Sequence, residues 1–125
     1  MQKILDKSKV GVVVMAYNRP SHLQRLLISL QKSKIKKINV YLDKPVNKLS
    51  GVNQKEIERM LKAANFWLNC KINKQRKHLG ISKSLKIALD REFKKYDKLI
   101  LLEDDCIPFK FFFQYMLDCL NKFEK

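Results

Sequence analysis

The stretch that decides the fold runs from Val10 to Leu30, VGVVVMAYNRPSHLQRLLISL. Val10–Met15 is a short β-branched apolar run with polar neighbours, the pattern of a strand buried on both faces. Pro20 cannot sit inside a strand, but its fixed φ suits the first turn of a helix. Leu23, Leu26, Leu27 and Leu30 then recur at i, i+3, i+4 and i+7. That spacing predicts an amphipathic helix ending near Ser33.

The same alternation continues outward. Ile38–Leu42, INVYL, predicts a second strand, stopped by Asp43-Lys44-Pro45. Residues 44–52 read as a loop. Asn53 and Glu56 have capping-box spacing, and Ile57, Met60, Leu61 and Ala64 carry the helical stripe behind them. Trp67–Ile72 predicts a third strand, followed by the basic loop NKQRKHLG. Leu85, Ala88, Leu89 and Phe93 mark a helix from Ser82 to Lys94. Lys98–Leu102, KLILL, predicts a fourth buried strand. Pro108 opens the last helix, with Phe109, Phe112, Phe113, Met116, Leu117 and Leu120 on one side.

Strands alternating with helices imply an α/β fold. It is a three-layer, open, mostly parallel sheet flanked by helices, with right-handed crossovers. The chain has 125 residues, which suits a single domain over residues 1–125. Its 46% apolar content supports a core and excludes wholesale disorder. No apolar run approaches the roughly 18–20 residues of a bilayer span. Residues 1–9 carry charges where a signal peptide would place its apolar stretch. Cys70, Cys106 and Cys119 share no metal-binding spacing and read as reduced thiols. These features point to a cytoplasmic protein.

The net charge is +15, from 27 Lys and Arg against 12 Asp and Glu. Such a balance favours nucleic acid, anionic lipid or phosphorylated small molecules as partners. Only five of the basic residues are arginines, the better bidentate readers of phosphate and bases. The lysines are spread along the chain, so a solvated lysine surface is the simpler reading. Nucleic acid is therefore not the expected partner. A basic α/β module that binds nucleic acid or anionic membrane without catalysis remains the alternative.

In open α/β sheets, ligands bind beyond the carboxyl ends of the strands. The polar clusters fall there: Tyr17-Asn18-Arg19 after the first strand, Asp43 after the second, Arg76, Lys77 and His78 after the third, and Glu103-Asp104-Asp105 after the fourth. The acidic triplet is the sharpest feature, because each carboxylate raises the cost of ionising the next. A divalent cation such as Mg²⁺ or Mn²⁺ relieves that repulsion, often on one or two carboxylates plus substrate phosphates. Glu103 and Asp105 point the same way if the chain stays extended. An acidic turn at a helix N-terminus is the equal alternative.

Asp43 alone is more often a turn former than an acceptor for a base or ribose. His78 is more often a solvated loop residue than a phosphate donor. Gly80 either allows backbone approach to a ligand or serves a plain turn. Arg76 and Lys77 suit a diphosphate, but exposed basic pairs are common in this chain. His22 reads as structural. There is no GxxxxGK[ST] loop, no GxGxxG turn after the first strand and no GxSxG elbow. A phospho-receiver domain would place its acidic pair after the first strand, not the fourth.

Two blocks resemble GT-A glycosyltransferases, chiefly family 2 and the N-acetylglucosaminyltransferase I group. The first is VGVVVMAYNRPSHLQRLLISL. The second is KHLGISKSLKIALDREFKKYDKLILLEDDCIPFKFFFQYM. The second is similar to a pattern of Asn-Leu-Gly-Leu-x-Lys-Ser, helix, buried strand, Glu-Asp-Asp, then Pro and a Phe-rich helix. Together the blocks cover essentially the whole chain. His78 stands where the pattern has Asn, and Ser82 where Arg is frequent.

The resemblance implies the nucleotide-sugar-binding half of a GT-A domain. Glu103-Asp104-Asp105 would be a variant DxD motif, with Asp105 and Glu103 toward Mn²⁺ or Mg²⁺ and Glu103 and Asp104 toward the ribose or metal-bound water. Asp43 would contact the base. Ala16, Tyr17, Asn18 and Arg19 would line the nucleotide pocket, and His78, Gly80 and Lys83 its diphosphate side. The implied reaction moves a sugar from a nucleotide-sugar donor, a UDP-sugar first among them, to a saccharide or lipid-linked acceptor. The implied setting is cell-surface polysaccharide synthesis in the cytoplasm, with peripheral contact to the inner membrane. The acceptor half and the catalytic base are expected to lie outside this chain.

Overall fold

β1 (Val10–Ala16) is buried along its whole length, as an unbroken β-branched run requires. The computed structural model of the protein describes residues 10–33, 35–108 and 111–122. β1 leads into α1 (Pro20–Lys32), which has Pro in its first turn and closes at Ser33. Its buried residues are Leu23, Leu26, Leu27 and Leu30, the leucine stripe of the sequence. β2 (Lys37–Leu42), α2 (Lys48–Ala64), β3 (Asn69–Lys74), α3 (Ile81–Glu92), β4 (Lys98–Glu103) and α4 (Phe112–Lys122) follow.

All four strands are parallel, in the order β3-β2-β1-β4. The chain moves one way across the sheet from β1 to β3, then jumps back past β1 to β4. Reversing direction with right-handed crossovers moves the connecting helix to the opposite face. Accordingly, the larger core packs α1, α2 and α4 on one face, through Leu23, Leu30, Ile57, Leu61, Phe113 and Leu117. A smaller cluster of Val13, Met15, Tyr41 and Ala88 packs α3 on the other. The reversal also makes the β1/β4 boundary the switch point of the sheet, where ligand clefts form.

Four expectations need correction. α2 begins within the stretch read as a loop. Asn47, not Asn53, is its cap: Asn47 Oδ1 accepts from the Ser50 amide at 2.8 Å, and Ser50 Oγ accepts from the Asn47 amide at 3.2 Å. The later Asn53/Glu56 spacing lies inside the helix, where backbone donors are already taken. β3 starts two residues later than Trp67 and reaches Lys74, because Trp67 and Leu68 close the turn after α2. On α3 the buried positions are Ser84, Ala88 and Glu92, while Phe93 caps the helix and is exposed. α4 starts at Phe112 and not at Pro108. Phe109, like residues 1–9, lies outside the described residues.

Gly11 is required by packing. A Cβ there would fall 2.5 Å from Cδ2 of the buried Tyr96 ring. Among the described residues no helix is long and apolar enough to cross a membrane.

Burial in β3 pushes the Cys70 thiol up to about 11. An unfolded thiol titrates near 8.5, so the unfolded state loses its proton first as pH rises. The stability held by neutral Cys70 is complete below that point and is lost between the unfolded and folded values. Unfolding free energy at pH 10 should be about 2 kcal/mol below that at pH 8, since one pKa unit is worth about 1.4 kcal/mol. Urea melts across this range check it, and Cys70→Ala should flatten the decline.

Candidate functional site

Asp43 organises the carboxyl end of the sheet. It follows β2 directly and is 9% exposed. Its Oδ1 accepts from the amides of Lys44 at 2.8 Å and Leu79 at 2.9 Å, and its Oδ2 from the amide of Gly80 at 2.8 Å. One carboxylate thus turns its own chain and ties down the loop between β3 and α3. His78 adds to this knot: its Nδ1 lies 2.8 Å from the Lys44 carbonyl and 3.3 Å from Asp43 Oδ2. Both neighbours are acceptors, so His78 Nδ1 is placed to donate to them.

The loop after β1 is held from below. Gln54, on the buried stripe of α2, donates to the carbonyls of Tyr17 at 3.0 Å and Asp43 at 2.7 Å. The Tyr17 hydroxyl accepts from the Val46 amide at 3.1 Å, and its ring stands 5.8 Å from that of His78, tilted by 58°. Tyr17 and His78 therefore make one aromatic wall, though they come from different loops.

The acidic triplet divides by depth. β4 ends at Glu103, and Asp104 and Asp105 form a turn in which the Cys106 amide donates to the Glu103 carbonyl at 3.0 Å, so the chain does not stay extended through the triplet as the shared direction of Glu103 and Asp105 would require. Asp104 is 2% exposed and takes the Arg19 guanidinium on Oδ1 at 2.6 Å. Its amide donates to the Met15 carbonyl at 3.0 Å, fastening the end of β4 to β1. Asp105 is half-exposed, with Oδ2 4.0 Å from the same guanidinium. Glu103 is exposed, and its carboxylate has no hydrogen bond or ion pair among the described residues. Arg19 therefore supplies the basic neighbour that close carboxylates need, but only on one side.

These groups surround a cleft of about 360 Å³, within the range of small-molecule sites. Ala16, Tyr17, Asn18, Arg19, Asp43, His78, Gly80, Glu103 and Asp104 all line it. Two expected residues do not. Lys83 is exposed on α3, where the turn of the helix brings Ser84 inward instead. Asp105 stands beside Arg19 without lining the cleft. Arg76 and Lys77 are exposed and also stand apart from it. The sequence reading missed Met15, Ile81 and Ser84 in the lining, and Gln54 behind it. A signal existed for one of them: Gln54 lies one helical turn before Ile57 and two before Leu61, in line with the apolar stripe of α2.

Among the described residues no group of three or more His, Cys, Asp and Glu side chains could hold a metal ion by itself. Two carboxylates remain available, Glu103 and Asp105, since Asp104 is spent on Arg19. Glu103 lines the cleft and Asp105 stands just outside it beside Arg19, so a hard cation such as Mg²⁺ or Mn²⁺ would need ligand phosphate oxygens to complete its shell there. In comparisons with known proteins, no family model and no curated protein matches the chain.

Proposed function

We propose that the cleft is the donor site of a metal-dependent glycosyltransferase and binds a nucleotide-sugar, a UDP-sugar first among them. The observation that carries this reading is convergence. Nine residues nominated for a nucleotide-sugar, drawn from four separate loops, line one cleft at the switch point of the sheet. Glu103 and Asp105 would hold Mn²⁺ or Mg²⁺ together with the donor diphosphate. That ion would act as a Lewis acid, offsetting charge on the departing nucleoside diphosphate.

The chain's own residues do the rest. The Tyr17–His78 wall offers apolar surface to a base. The Arg19 guanidinium, half-exposed and lining the cleft, offers cationic donors to phosphate oxygens. Asp43 holds the floor rigid through three amides and presents its remaining acceptor capacity to a base or ribose. The acceptor is a saccharide or lipid-linked sugar in cell-surface polysaccharide synthesis, in the cytoplasm or peripheral at the inner membrane.

A specific observation supports the second reading, a basic module for anionic partners. Lys95 lowers the pKa of Lys71 on β3, with desolvation and Lys37 adding to the effect, against the opposing charge of Glu92, which pairs with Lys95 at 3.6 Å. Like charges kept together attract a polyanion, and such binding weakens steeply with salt.

Thermal unfolding with UDP, GDP, CMP and dTDP, each with and without Mn²⁺, separates the two. A ligand specific to the folded state present at 100 times its Kd adds about 2.7 kcal/mol of stability. The donor reading expects a rise in Tm with one nucleotide that requires the metal and vanishes in Asp105→Ala. A folded protein that ignores all four nucleotides but binds DNA or anionic vesicles in a salt-sensitive way contradicts it.

A further inference from the structure

The first turn of α3 meets the cleft uncapped. Gly80 is its N-cap and has no side chain to offer, and the first turn holds no acidic residue. The amides of Ile81, Ser82 and Lys83 have no carbonyl four residues behind them within the helix. Asp43 takes the amides of Leu79 and Gly80 and reaches no further. At Gly80, with φ +82°, an added Cβ would meet no atom within 4 Å, so the space before the turn is open.

A second observation is independent of the helix end. Ser84 is 3% exposed, yet its hydroxyl has no hydrogen-bond partner. Helical serines commonly satisfy themselves on the carbonyl four residues back, and a buried unsatisfied hydroxyl is costly. In a helix the Cα–Cβ bond tilts toward the N-terminus, which directs Ser84 under the first turn. Both Ser84 and Ile81 line the cleft.

We infer that the α3 N-terminus and the Ser84 hydroxyl form a phosphoryl-binding subsite that works without a divalent cation. The free amides and the positive end of the helix dipole face the anion, and Ser84 donates the remaining hydrogen bond. A phosphoryl group suits the subsite better than a carboxylate, because three oxygens can engage the amides and the hydroxyl together. The inference rests on reading the cleft as a donor site only in making that group part of the donor's diphosphate. It makes no use of the base, the sugar or the metal.

The test is thermal unfolding in EDTA with pyrophosphate, inorganic phosphate or malonate, on the wild type and Ser84→Ala. Pyrophosphate should raise the wild-type Tm with the metal chelated. Ser84→Ala should unfold at or above the wild-type temperature without ligand, since it removes an unsatisfied hydroxyl. Its affinity for pyrophosphate should fall about tenfold, the worth of one hydrogen bond to a charged group. Amide shifts confined to residues 81–84 in a nitrogen-15 NMR titration would locate the anion. No metal-free response, an undiminished response in Ser84→Ala, or an equal response to malonate would overturn the inference. A response to UDP with Mn²⁺ but none to pyrophosphate in EDTA sinks this subsite and leaves the donor reading standing. The reverse pattern sinks the donor reading and keeps the subsite.

Discussion

Asp43→Ala should destabilise the protein by about 3 kcal/mol and, on the proposed donor-site reading, abolish nucleotide binding in the cleft. The carboxylate accepts three backbone amides, from Lys44, Leu79 and Gly80, at 2.8–2.9 Å. Hydrogen bonds to a charged acceptor contribute about 1.5–3 kcal/mol each, and they do not add fully when they share one group. Removing the side chain also leaves those amides to find water in a part-buried site. The effect should be local as well as global. Freed from Asp43, residues 78–80 lose their tether to the end of β2, and the wall formed by His78 against Tyr17 opens. Amide exchange at Leu79 and Gly80 should accelerate more than in the strand cores. Asn at this position keeps one acceptor oxygen and should cost about half as much. Chemical denaturation of the three proteins measures this. A Tm and exchange pattern for Asp43→Ala equal to wild type would remove Asp43 from its organising role.

Tyr41→Phe should cost about 2–3 kcal/mol although it deletes a single oxygen. Tyr41 lies on the α3 face of β2, fully buried, and its hydroxyl donates to Glu92 Oε2. Glu92 is completely buried too, its Oε1 has no partner, and Lys95 Nζ stands 3.6 Å from Oε2. Burial and the adjacent Glu92 push the Tyr41 phenol far above its ordinary value, so the hydroxyl keeps its proton and remains a donor. Phe in its place leaves the Glu92 carboxyl with almost no hydrogen bonding, the costly half of a broken buried pair. Replacing both partners should cost much less. Tyr41→Phe/Glu92→Leu is expected to recover at least about 1 kcal/mol relative to Tyr41→Phe, a coupling typical of contacting residues. Urea denaturation of the two single variants and the double variant closes the cycle. Additive losses would show that the contact carries no energy of its own.

The parts of the fold that the sequence disclosed are those with one dominant signal. β1, β2 and β4 are runs of apolar residues long enough for a buried strand and too short for a helix. The leucine stripe of α1 has a single period. β3 was harder because it is an edge strand, where Asn69, Lys71, Asn73 and Lys74 break the apolar run and its first residues pair on one side only. The start of α2 is hard to read because the partner of Asn47 is Ser50, not the Glu or Gln of a usual capping box, and Gly51, a weak helix former, follows it. On α3 the inward stripe is Ser84, Ala88 and Glu92, two of them polar, so the apolar periodicity follows the neighbouring Leu85, Leu89 and Phe93 instead.

Much of the cleft was legible for a topological reason. In a parallel sheet every strand ends at the same edge, so polar residues just after strands must gather there. What the sequence does not encode locally is which of three adjacent carboxylates turns inward. Asp104 does, in the turn after β4, where its amide is held by the Met15 carbonyl and Arg19 waits on the loop after β1. Depth along a helix is equally hard to read, which is why Ser84 and not Lys83 reaches the cleft.

The measurement that tests the central claim most directly is Mn²⁺ binding followed by electron paramagnetic resonance, in the absence and presence of saturating UDP. The donor reading predicts weak Mn²⁺ binding by the protein alone, since Glu103 and Asp105 make an incomplete set. It predicts one tightly bound ion once the nucleotide supplies phosphate oxygens, and loss of that ion in Asp105→Ala and Glu103→Ala. Mn²⁺ binding that is indifferent to every nucleoside diphosphate tried, or unchanged in both variants, would contradict it.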